Sequence, residues 1–255
     1  MKVVILAGGY GTRLSEYTDV IPKPMVKIGG EPILKHIMNI YSNYGFKDFY
    51  IALGYKGEVI KNYFLNYKSI NSDFTVNLKN GDLNFHNNHE EDWKVTLVDT
   101  GVNTQTGGRL LNIAKYLDES TFMMTYGDGL SNVNLNTLLE FHRSHGKLAT
   151  ITAVQAIPRF GLIELNKDKV TSFSEKPKAK DSWINGGFFV FEKEVINYIN
   201  DNYTVLEKEP LENLSKDKEL HAYKHNDFWQ CMDTKRDKDY LEEMARNNNM
   251  PWLNR

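Results

Sequence analysis

Residues 2–14 read KVVILAGGYGTRL, an apolar run rich in β-branched residues that stops at a glycine-rich turn ending in arginine. The apolar run has the length and composition of one fully buried strand. Ligands of open parallel sheets bind at the carboxyl ends of the strands, so this turn is the first place to look for a bound ligand. The stretch therefore predicts a buried first strand followed by a candidate anion-binding loop.

Strand-like and helix-like segments alternate after this opening. In PILKHIMNIYSNYG, residues 32–45, a proline near the first turn, an apolar stripe and a final glycine predict a helix. The same alternation continues through DFYIALG (48–54), EVIKNYFLNY (58–67), WKVTLVDT (93–100), GGRLLNIAKYL (107–117), TFMMTYGD (121–128) and NLNTLLEFHRSHG (134–146). The pattern predicts an α/β fold with a Rossmann-like, mixed but mainly parallel sheet and helices on both faces.

Two segments interrupt this alternation. FTVNLKNGDLNFH, residues 74–86, alternates apolar and polar residues around Asn80-Gly81, which predicts a tight hairpin. From about Leu148 the chain becomes rich in strands, which predicts an inserted or appended mixed-sheet section with its own site residues. No linker-like segment divides the chain, so we expect a single domain, 1–255.

Composition and charge exclude several classes of protein. The 255 residues include 31 Lys plus Arg and 33 Asp plus Glu, a net charge of -2. Nothing in that balance marks the surface as a nucleic-acid or membrane binder, so any anion site must be local. The single cysteine, Cys231, cannot form an internal disulfide, and the first apolar run is too short for a signal peptide. We therefore expect a cytoplasmic protein.

The glycine turn fits neither of two common phosphate loops. Gly8, Gly9 and Gly11 would let backbone N–H groups approach phosphate oxygens. A Walker loop needs Gly-Lys-Ser/Thr, and a dinucleotide fingerprint needs a third small residue where Leu14 stands. What remains is a glycine cradle followed by Arg13, whose guanidinium can bind phosphate oxygens in pairs. A tight turn without a ligand is the structural alternative.

Lys23 is a second candidate cation. In IPKPM, residues 21–25, it lies between two prolines that fix φ and favour an extended residue before them. We expect this lysine to stand on stiff, extended backbone within reach of the glycine turn. The alternative is an ordinary solvated lysine.

At this point the motifs resemble a family. LAGGYGTRL followed by PKPM resembles the N-terminal motif of the sugar-phosphate nucleotidyltransferases, and DTGVNTQTGGRL, TYGDG, FSEKP, INGGFFVF and WQCMDTKRD extend the resemblance to about Trp252. The resemblance implies the nucleotide-diphospho-sugar transferase fold. It also implies Mg²⁺-dependent transfer of CMP from CTP to α-D-glucose 1-phosphate, which gives CDP-glucose and pyrophosphate. Two departures are Thr104, where the pattern has serine, and Cys231, where it has proline.

The resemblance also implies roles for individual residues. For catalysis it implies Arg13, Lys23, Asp128 and Asp233, with the two aspartates as Mg²⁺ ligands. For nucleotide binding it implies Leu6, Ala7, Gly8, Gly9, Tyr10, Gly11, Thr12, Arg13, Lys23, Thr104, Arg109 and Gly127. For the sugar phosphate it implies Glu175, Lys176, Asn185 and Gly186, in a sugar-binding part mainly in 148–235.

Simple chemistry supports several of these roles. Asp128 comes directly after an apolar strand between two glycines, and a carboxylate there suits Mg²⁺, although it could instead cap its own turn. The sequence leaves open whether Asp233 meets it. Arg109 could donate to the O2 and N3 acceptors of cytosine, which uracil and thymine do not match; alternatively it is a surface residue in an early helical turn. Cys231 is expected to be a small apolar residue rather than a nucleophile.

Other functions stay open at this stage. They are a nucleotidyltransferase for another nucleotide or sugar 1-phosphate, a metal-dependent glycosyltransferase, and a non-catalytic nucleotide-sugar sensor. The resemblance further implies a homo-oligomer, with a hexamer as one form, and a product used in deoxysugar or surface-polysaccharide (O-antigen) biosynthesis. Neither nucleic acid nor membrane is an expected partner.

Overall fold

The computed structural model describes residues 1–86, 91–155, 162–174 and 182–253, and within them the predicted alternation of strands and helices is confirmed. The strands are β1 Lys2–Leu6, β2 Lys27–Ile28, β3 Glu31–Pro32, β4 Asp48–Leu53, β5 Phe74–Val76, β6 Leu83–Phe85, β7 Lys94–Asp99, β8 Thr121–Tyr126, β9 Gly129–Ser131, β10 Ala149–Gln155, β11 Leu162–Asn166, β12 Lys169–Ser174, β13 Trp183–Glu192, β14 Leu220–His225 and β15 Trp229–Cys231. The α-helices are α1 Ser15–Thr18, α2 Ile33–Ser42, α3 Gly57–Leu65, α4 Tyr67–Asn71, α5 Thr106–Ile113, α6 Leu135–His145, α7 Glu209–Lys216 and α8 Lys235–Arg246. Short 3-10 turns occupy Thr12–Leu14, Lys23–Met25, Ala114–Tyr116 and Lys193–Tyr198.

One large sheet organises the molecule, with strand order β14-β10-β13-β8-β1-β4-β7. The pairs β1–β4, β1–β8, β4–β7 and β10–β14 are parallel. The pairs β8–β13 and β10–β13 are antiparallel, so the predicted mixed, mainly parallel sheet is confirmed.

The strand-rich section after Leu148 mostly joins the main sheet, whereas an inserted or appended section had been expected. β10, β13 and β14 continue the main sheet, because β13 pairs along β8 from Phe188 with Thr125 to Glu192 with Thr121. The apolar run of β13 is buried, and joining the main sheet covers both of its faces. Outside the main sheet, β11 and β12 form a separate hairpin and β15 pairs with β9.

Helices cover both faces of the sheet, as predicted. Val3 and Ile5 of β1 point into a core shared with α2, α6 and α8, whereas Val4 and Leu6 point into a second core shared with α5 and α7. A strand buried on both faces explains why β1 reads as a continuous apolar run. Within the described ranges, no helix is long and apolar enough to cross a membrane.

The strand order places a topological switch point beside β1. The chain moves outward from β1 to β4 and β7 and then returns to form β8 on the other side of β1. The turns after β1 and β8 therefore leave the same edge of the sheet and diverge, which opens a crevice between them. The glycine turn follows β1 and Asp128 follows β8, so both lie at this crevice.

The predicted hairpin forms, but its turn is wider than expected. Val76 pairs with Leu83, and the Asn77 N–H donates to the Asp82 carbonyl at 2.9 Å, so the loop spans 78–81 instead of the two residues Asn80-Gly81. This register places Phe74 opposite Phe85 with ring centroids 5.6 Å apart. A two-residue turn would shift the register and lose that aromatic pair, which explains the wider loop.

Candidate active site

The three glycines of the turn after β1 differ in conformation and in surroundings. Gly11 has φ +65°, and a Cβ there would lie 2.8 Å from Thr18 Cγ2, so it requires glycine. A Cβ on Gly8 would lie 2.1 Å from Nη1 of Arg109, so Gly8 makes room for that guanidinium. A Cβ on Gly9 would meet no atom within 4 Å, so this position is open to the crevice.

Backbone donors of this turn face away from protein acceptors. In the part of the chain that the structure describes, the N–H groups from Gly9 to Arg13 donate to no protein acceptor. Leu6 and Ala7 are buried at the end of β1, whereas Tyr10 and Thr12 are exposed. The Tyr10 hydroxyl donates to Asn103 Oδ1 at 2.8 Å, which ties the turn to the loop after β7. A run of free N–H groups of this kind is a site for an anion.

Lys23 stands on a short 3-10 turn, where extended backbone had been expected. The Met25 N–H donates to the Pro22 carbonyl at 2.8 Å and the Val26 N–H to the Lys23 carbonyl at 3.1 Å. Pro24 is tolerated here because a residue in the first turn of a helix needs no N–H partner. The backbone is therefore held in place as predicted, but by a turn.

Strand pairing brings the two distant aspartates together. β15 runs antiparallel to β9 with Cys231 opposite Gly129, and the Met232 N–H donates to the Asp128 carbonyl at 2.8 Å. Asp233 follows directly and precedes the N-cap of α8. Gly127 lets this strand end approach the first one, because a Cβ there would lie 2.9 Å from the Leu6 carbonyl oxygen.

The predicted catalytic residues form one ionic cluster. Lys23 Nζ lies 2.7 Å from Asp128 Oδ2 and 2.6 Å from Asp233 Oδ1. Arg13 Nη1 lies 2.5 Å from Asp233 Oδ2, although 71% of its side chain is exposed. Burial opposes the charge of Lys23, but the neighbouring carboxylates of Asp128 and Asp233 outweigh it and raise the lysine pKa. Lys23 is therefore a permanent cation at the crevice.

The same pair of carboxylates fits the predicted Mg²⁺. Oxygens of Asp128 and Asp233 converge on one ammonium group, which shows that a cation is stabilised between them. No cluster of three or more His, Cys, Asp or Glu able to hold a metal is found among the described residues. Two carboxylates nevertheless suffice for Mg²⁺, which completes its coordination with water and substrate phosphates.

Arg109 is buried, and its hydrogen bonds connect two loops. The residue is 4% exposed, and among the described residues the acceptors of its guanidinium are all neutral. Nη1 donates to the Leu53 carbonyl, Thr100 Oγ1 and the Gly101 carbonyl, and Nη2 to the Gly8 and Val102 carbonyls, at 2.7 to 3.3 Å. It is therefore not the surface residue of the alternative interpretation. The predicted cytosine contact stays a prediction, and it has to share a guanidinium that already anchors Gly8.

The predicted base-side and sugar-side residues flank this cluster. Thr104 Oγ1 donates to the Thr100 carbonyl at 2.5 Å in the same loop. On the other side, Asn185 Nδ2 donates to the Tyr126 hydroxyl at 3.1 Å, and the Gly186 carbonyl accepts from Trp229 Nε1 at 2.7 Å. The predicted sugar-phosphate residues Glu175 and Lys176 lie outside the described residues.

Two residues in contact with this region receive no role from the sequence analysis. Tyr126 lies inside the TYGDG motif but received no role, and Glu207 lies in a segment without a motif. The Tyr126 hydroxyl donates to Glu207 Oε1, and Thr106 Oγ1 donates to Glu207 Oε2 at 2.6 Å. The position of Tyr126 beside Gly127 was an available signal, whereas nothing near Glu207 pointed to the site.

Cys231 has the properties expected of an inert thiol. Burial, with the nearby carboxylates of Asp233 and Asp128, raises its pKa to about 12. A protonated thiol is a poor nucleophile. The cysteine therefore takes no chemical role at neutral pH.

Comparisons with known proteins show the family to which the chain belongs. The family described as Nucleotidyl transferase matches residues 2–248. The chain is 51% identical to glucose-1-phosphate cytidylyltransferase of Salmonella typhimurium, over 99% of this chain and 98% of that protein. It is 44% identical to a protein of Bacillus subtilis named probable glucose-1-phosphate cytidylyltransferase, over 99% of both chains. HddC from Yersinia pseudotuberculosis shares the fold, with a TM-score of 0.70 and 24% identity over 95% of this chain and 98% of that chain. The chain therefore belongs to the nucleotidyl transferase family and has the α/β fold of that family.

Proposed function

We propose that this protein transfers CMP from CTP to α-D-glucose 1-phosphate and releases pyrophosphate. The observation that carries the proposal is the ionic cluster, in which Lys23 bridges Asp128 and Asp233 beside the open N–H groups of the glycine turn. The relatives named as glucose-1-phosphate cytidylyltransferases support the choice of both substrates.

The free N–H groups from Gly9 to Arg13 would bind the β- and γ-phosphates of CTP. Arg13 would then turn from Asp233 towards these phosphates, which its exposure permits. Its guanidinium would neutralise charge that develops on the leaving pyrophosphate. This part of the site would bind the triphosphate and stabilise the departure of pyrophosphate.

Lys23 would act at the α-phosphate. Its 3-10 turn and two carboxylate partners hold the ammonium group close to the crevice, so little motion is needed to reach a phosphate oxygen there. A preorganised cation lowers the free energy of a transition state in which negative charge accumulates on that oxygen. Lys23 is therefore the proposed stabiliser of the transferred phosphoryl group.

Asp128 and Asp233 would hold Mg²⁺, for which their converging oxygens provide the carboxylate ligands. When bound, the metal supplies positive charge to the α-phosphate and orients it for in-line attack. The ammonium group of Lys23 shares these carboxylates, so both aspartates also keep the lysine in position. These residues thus have two functions, as ligands and as counter-ions.

No general base is required by this reaction. The attacking atom is a phosphate oxygen of the sugar 1-phosphate, which is already an anion near neutral pH. The chain therefore has to position two anions and reduce their repulsion. The sugar-binding part is proposed in 148–235, with Asn185 and Gly186 facing sugar hydroxyls and with Glu175 and Lys176 assigned by resemblance.

Three further properties are proposed on the same resemblance. Mg²⁺ is the proposed metal, and a homo-oligomer is the proposed assembly, which light scattering of the purified protein would test. The cytoplasm is the proposed location, since CTP and sugar phosphates are metabolites of that compartment.

The deciding experiment is a substrate matrix. CTP, UTP, dTTP, GTP and ATP are each combined with glucose, galactose and mannose 1-phosphates in the presence of Mg²⁺, and pyrophosphate is measured. We expect the highest kcat/KM for CTP with glucose 1-phosphate and no turnover after chelation of the metal. A higher value for another pair would replace the proposed substrates, and no pyrophosphate from any pair would overturn the activity.

A further inference from the structure

The carboxylate of Glu207 connects the base side of the crevice to the sugar side. Its Oε2 accepts from Thr106 Oγ1 at 2.6 Å, and Thr106 is the first residue of α5, the helix that carries Arg109. Its Oε1 accepts from the hydroxyl of Tyr126, the last residue of β8. One side chain therefore spans two elements that flank the ionic cluster.

Tyr126 extends this connection to Asn185. The tyrosine hydroxyl donates its proton to Glu207 and accepts from Asn185 Nδ2 at 3.1 Å. Asn185 Oδ1 accepts from the Gly187 N–H at 2.8 Å. An amide whose nitrogen faces an acceptor and whose oxygen faces a donor has one preferred orientation. Among the described residues, the second Nδ2 hydrogen and the second lone pair of Oδ1 have no partner.

We propose that Glu207 and Tyr126 are positioning residues that fix the Asn185 amide so that it distinguishes sugar hydroxyls. This inference rests on the proposed function, in which Asn185 faces the sugar. Because Glu207 accepts the tyrosine proton, the Tyr126 oxygen is left as an acceptor, and only the nitrogen end of the amide can face it. If the amide turned over, its donor and acceptor would exchange places, and epimers that differ in one hydroxyl would no longer be separated.

Stability alone does not account for this arrangement. Glu207 is exposed, and an exposed hydrogen bond to a carboxylate contributes little to the free energy of folding. The contacts are nevertheless directional and continuous from α5 to Asn185. Such a network can fix the orientation of the Asn185 amide, and so affect recognition of the sugar, while it adds little to the free energy of folding.

The test compares Tyr126→Phe and Glu207→Ala with a matched control. Tyr198 also donates to a carboxylate, Asp217 Oδ2 at 3.0 Å, but its 3-10 turn follows the end of β13 that pairs with the start of β8, away from the crevice. Tyr198→Phe therefore removes a similar bond at the opposite edge of the sheet. KM and kcat are measured for CTP and for glucose, galactose and mannose 1-phosphates, with thermal unfolding of each variant.

We expect Tyr126→Phe to raise KM for glucose 1-phosphate about tenfold, to change KM for CTP less than about twofold, and to reduce the preference for glucose over galactose 1-phosphate about tenfold. Glu207→Ala should act in the same direction. Glu207→Gln should recover most of the preference, because its amide oxygen still accepts from Tyr126. Tyr198→Phe should leave all of these values unchanged.

Two results with the single variants would overturn the inference. One is an unchanged KM and epimer preference in Tyr126→Phe, and the other is an equal loss for CTP and the sugar phosphate. In the double variant Tyr126→Phe/Glu207→Ala, the loss of epimer preference should be no more than about twice the loss in one single variant, because both substitutions act on one amide. Multiplicative losses of preference would also contradict the inference. If wild-type protein itself makes no pyrophosphate from CTP and glucose 1-phosphate, the proposed function fails instead.

Discussion

Two arginines beside the same glycine turn are held in opposite ways. Arg13 is mostly exposed and has one charged partner, Asp233, whereas Arg109 is buried among five neutral acceptors. An exposed pair can exchange its carboxylate for a phosphate at small cost. A buried guanidinium that makes five hydrogen bonds gives up all of them when it moves away. The difference suits the proposed role of Arg13 in binding the ligand, whereas the contacts of Arg109 hold the loops around the glycine turn together.

The largest effect should come from the ionic cluster. Asp128→Asn is expected to lower Mg²⁺-dependent turnover about a thousandfold or more, because a neutral amide is a poor ligand for Mg²⁺ and a weaker partner for Lys23. Steady-state pyrophosphate release measures the loss, and thermal unfolding checks that the fold is intact. Asp92→Asn is the control, since Asp92 pairs with Lys47 at a comparable 2.8 Å on the surface. Near-normal turnover of Asp128→Asn would remove the metal assignment.

Arg13→Ala should reduce activity without reducing stability. We expect kcat/KM to fall about a hundredfold, which corresponds to about 3 kcal/mol of transition-state stabilisation. The free energy of unfolding should change by less than about 0.5 kcal/mol, because the ion pair of Arg13 is exposed. A loss of activity below about fivefold would show that the glycine turn binds something other than the triphosphate.

Arg109→Ala, unlike Arg13→Ala, should reduce the stability of the protein. It removes five hydrogen bonds that join the two loops, although the Leu53 and Gly8 carbonyls keep the N–H donors of Thr100 and Tyr55. We therefore expect the free energy of unfolding to fall by about 2 kcal/mol in urea titrations. The preference for CTP over UTP should also fall, about tenfold in kcat/KM, more than triphosphate binding weakens. Unchanged stability would contradict the role of Arg109 in connecting the two loops. An unchanged preference for CTP over UTP would count against its predicted contact with cytosine.

The smallest expected effect is a difference in stability between substitutions of two glycines in the same turn. Gly11→Ala places a side chain at φ +65° and against Thr18, which should cost about 1 to 2 kcal/mol of stability. Gly9→Ala meets no atom within 4 Å and should change the free energy of unfolding by less than about 0.5 kcal/mol. Equal destabilisation by both substitutions would mean that the turn is held differently. Chemical unfolding monitored by fluorescence measures both.

Local pattern was sufficient for most of the fold. The apolar run of β1, the glycine-terminated helix at α2 and the alternation that follows depend on period and on turn chemistry, both of which are local properties. The hairpin at 74–85 shows the limit, because its existence followed from alternation but its register was decided by the pairing of Phe74 with Phe85. The backbone at Lys23 shows the same limit of local pattern, because the structure has a 3-10 turn where the sequence predicts extended backbone.

The sequence by itself determined the α/β class, the glycine turn with Arg13, and Asp128 at the end of a strand, because each depends on neighbours a few residues away. Only the tertiary structure decided that Asp233 meets Asp128 through the pairing of β15 with β9, that Arg109 is buried between two loops, and that Glu207 reaches Tyr126. Gly8 and Arg109 are 101 positions apart in the chain, and Tyr126 and Glu207 are 81 positions apart. No local pattern encodes such a pair, because the free energy that selects it comes from burying the whole sheet.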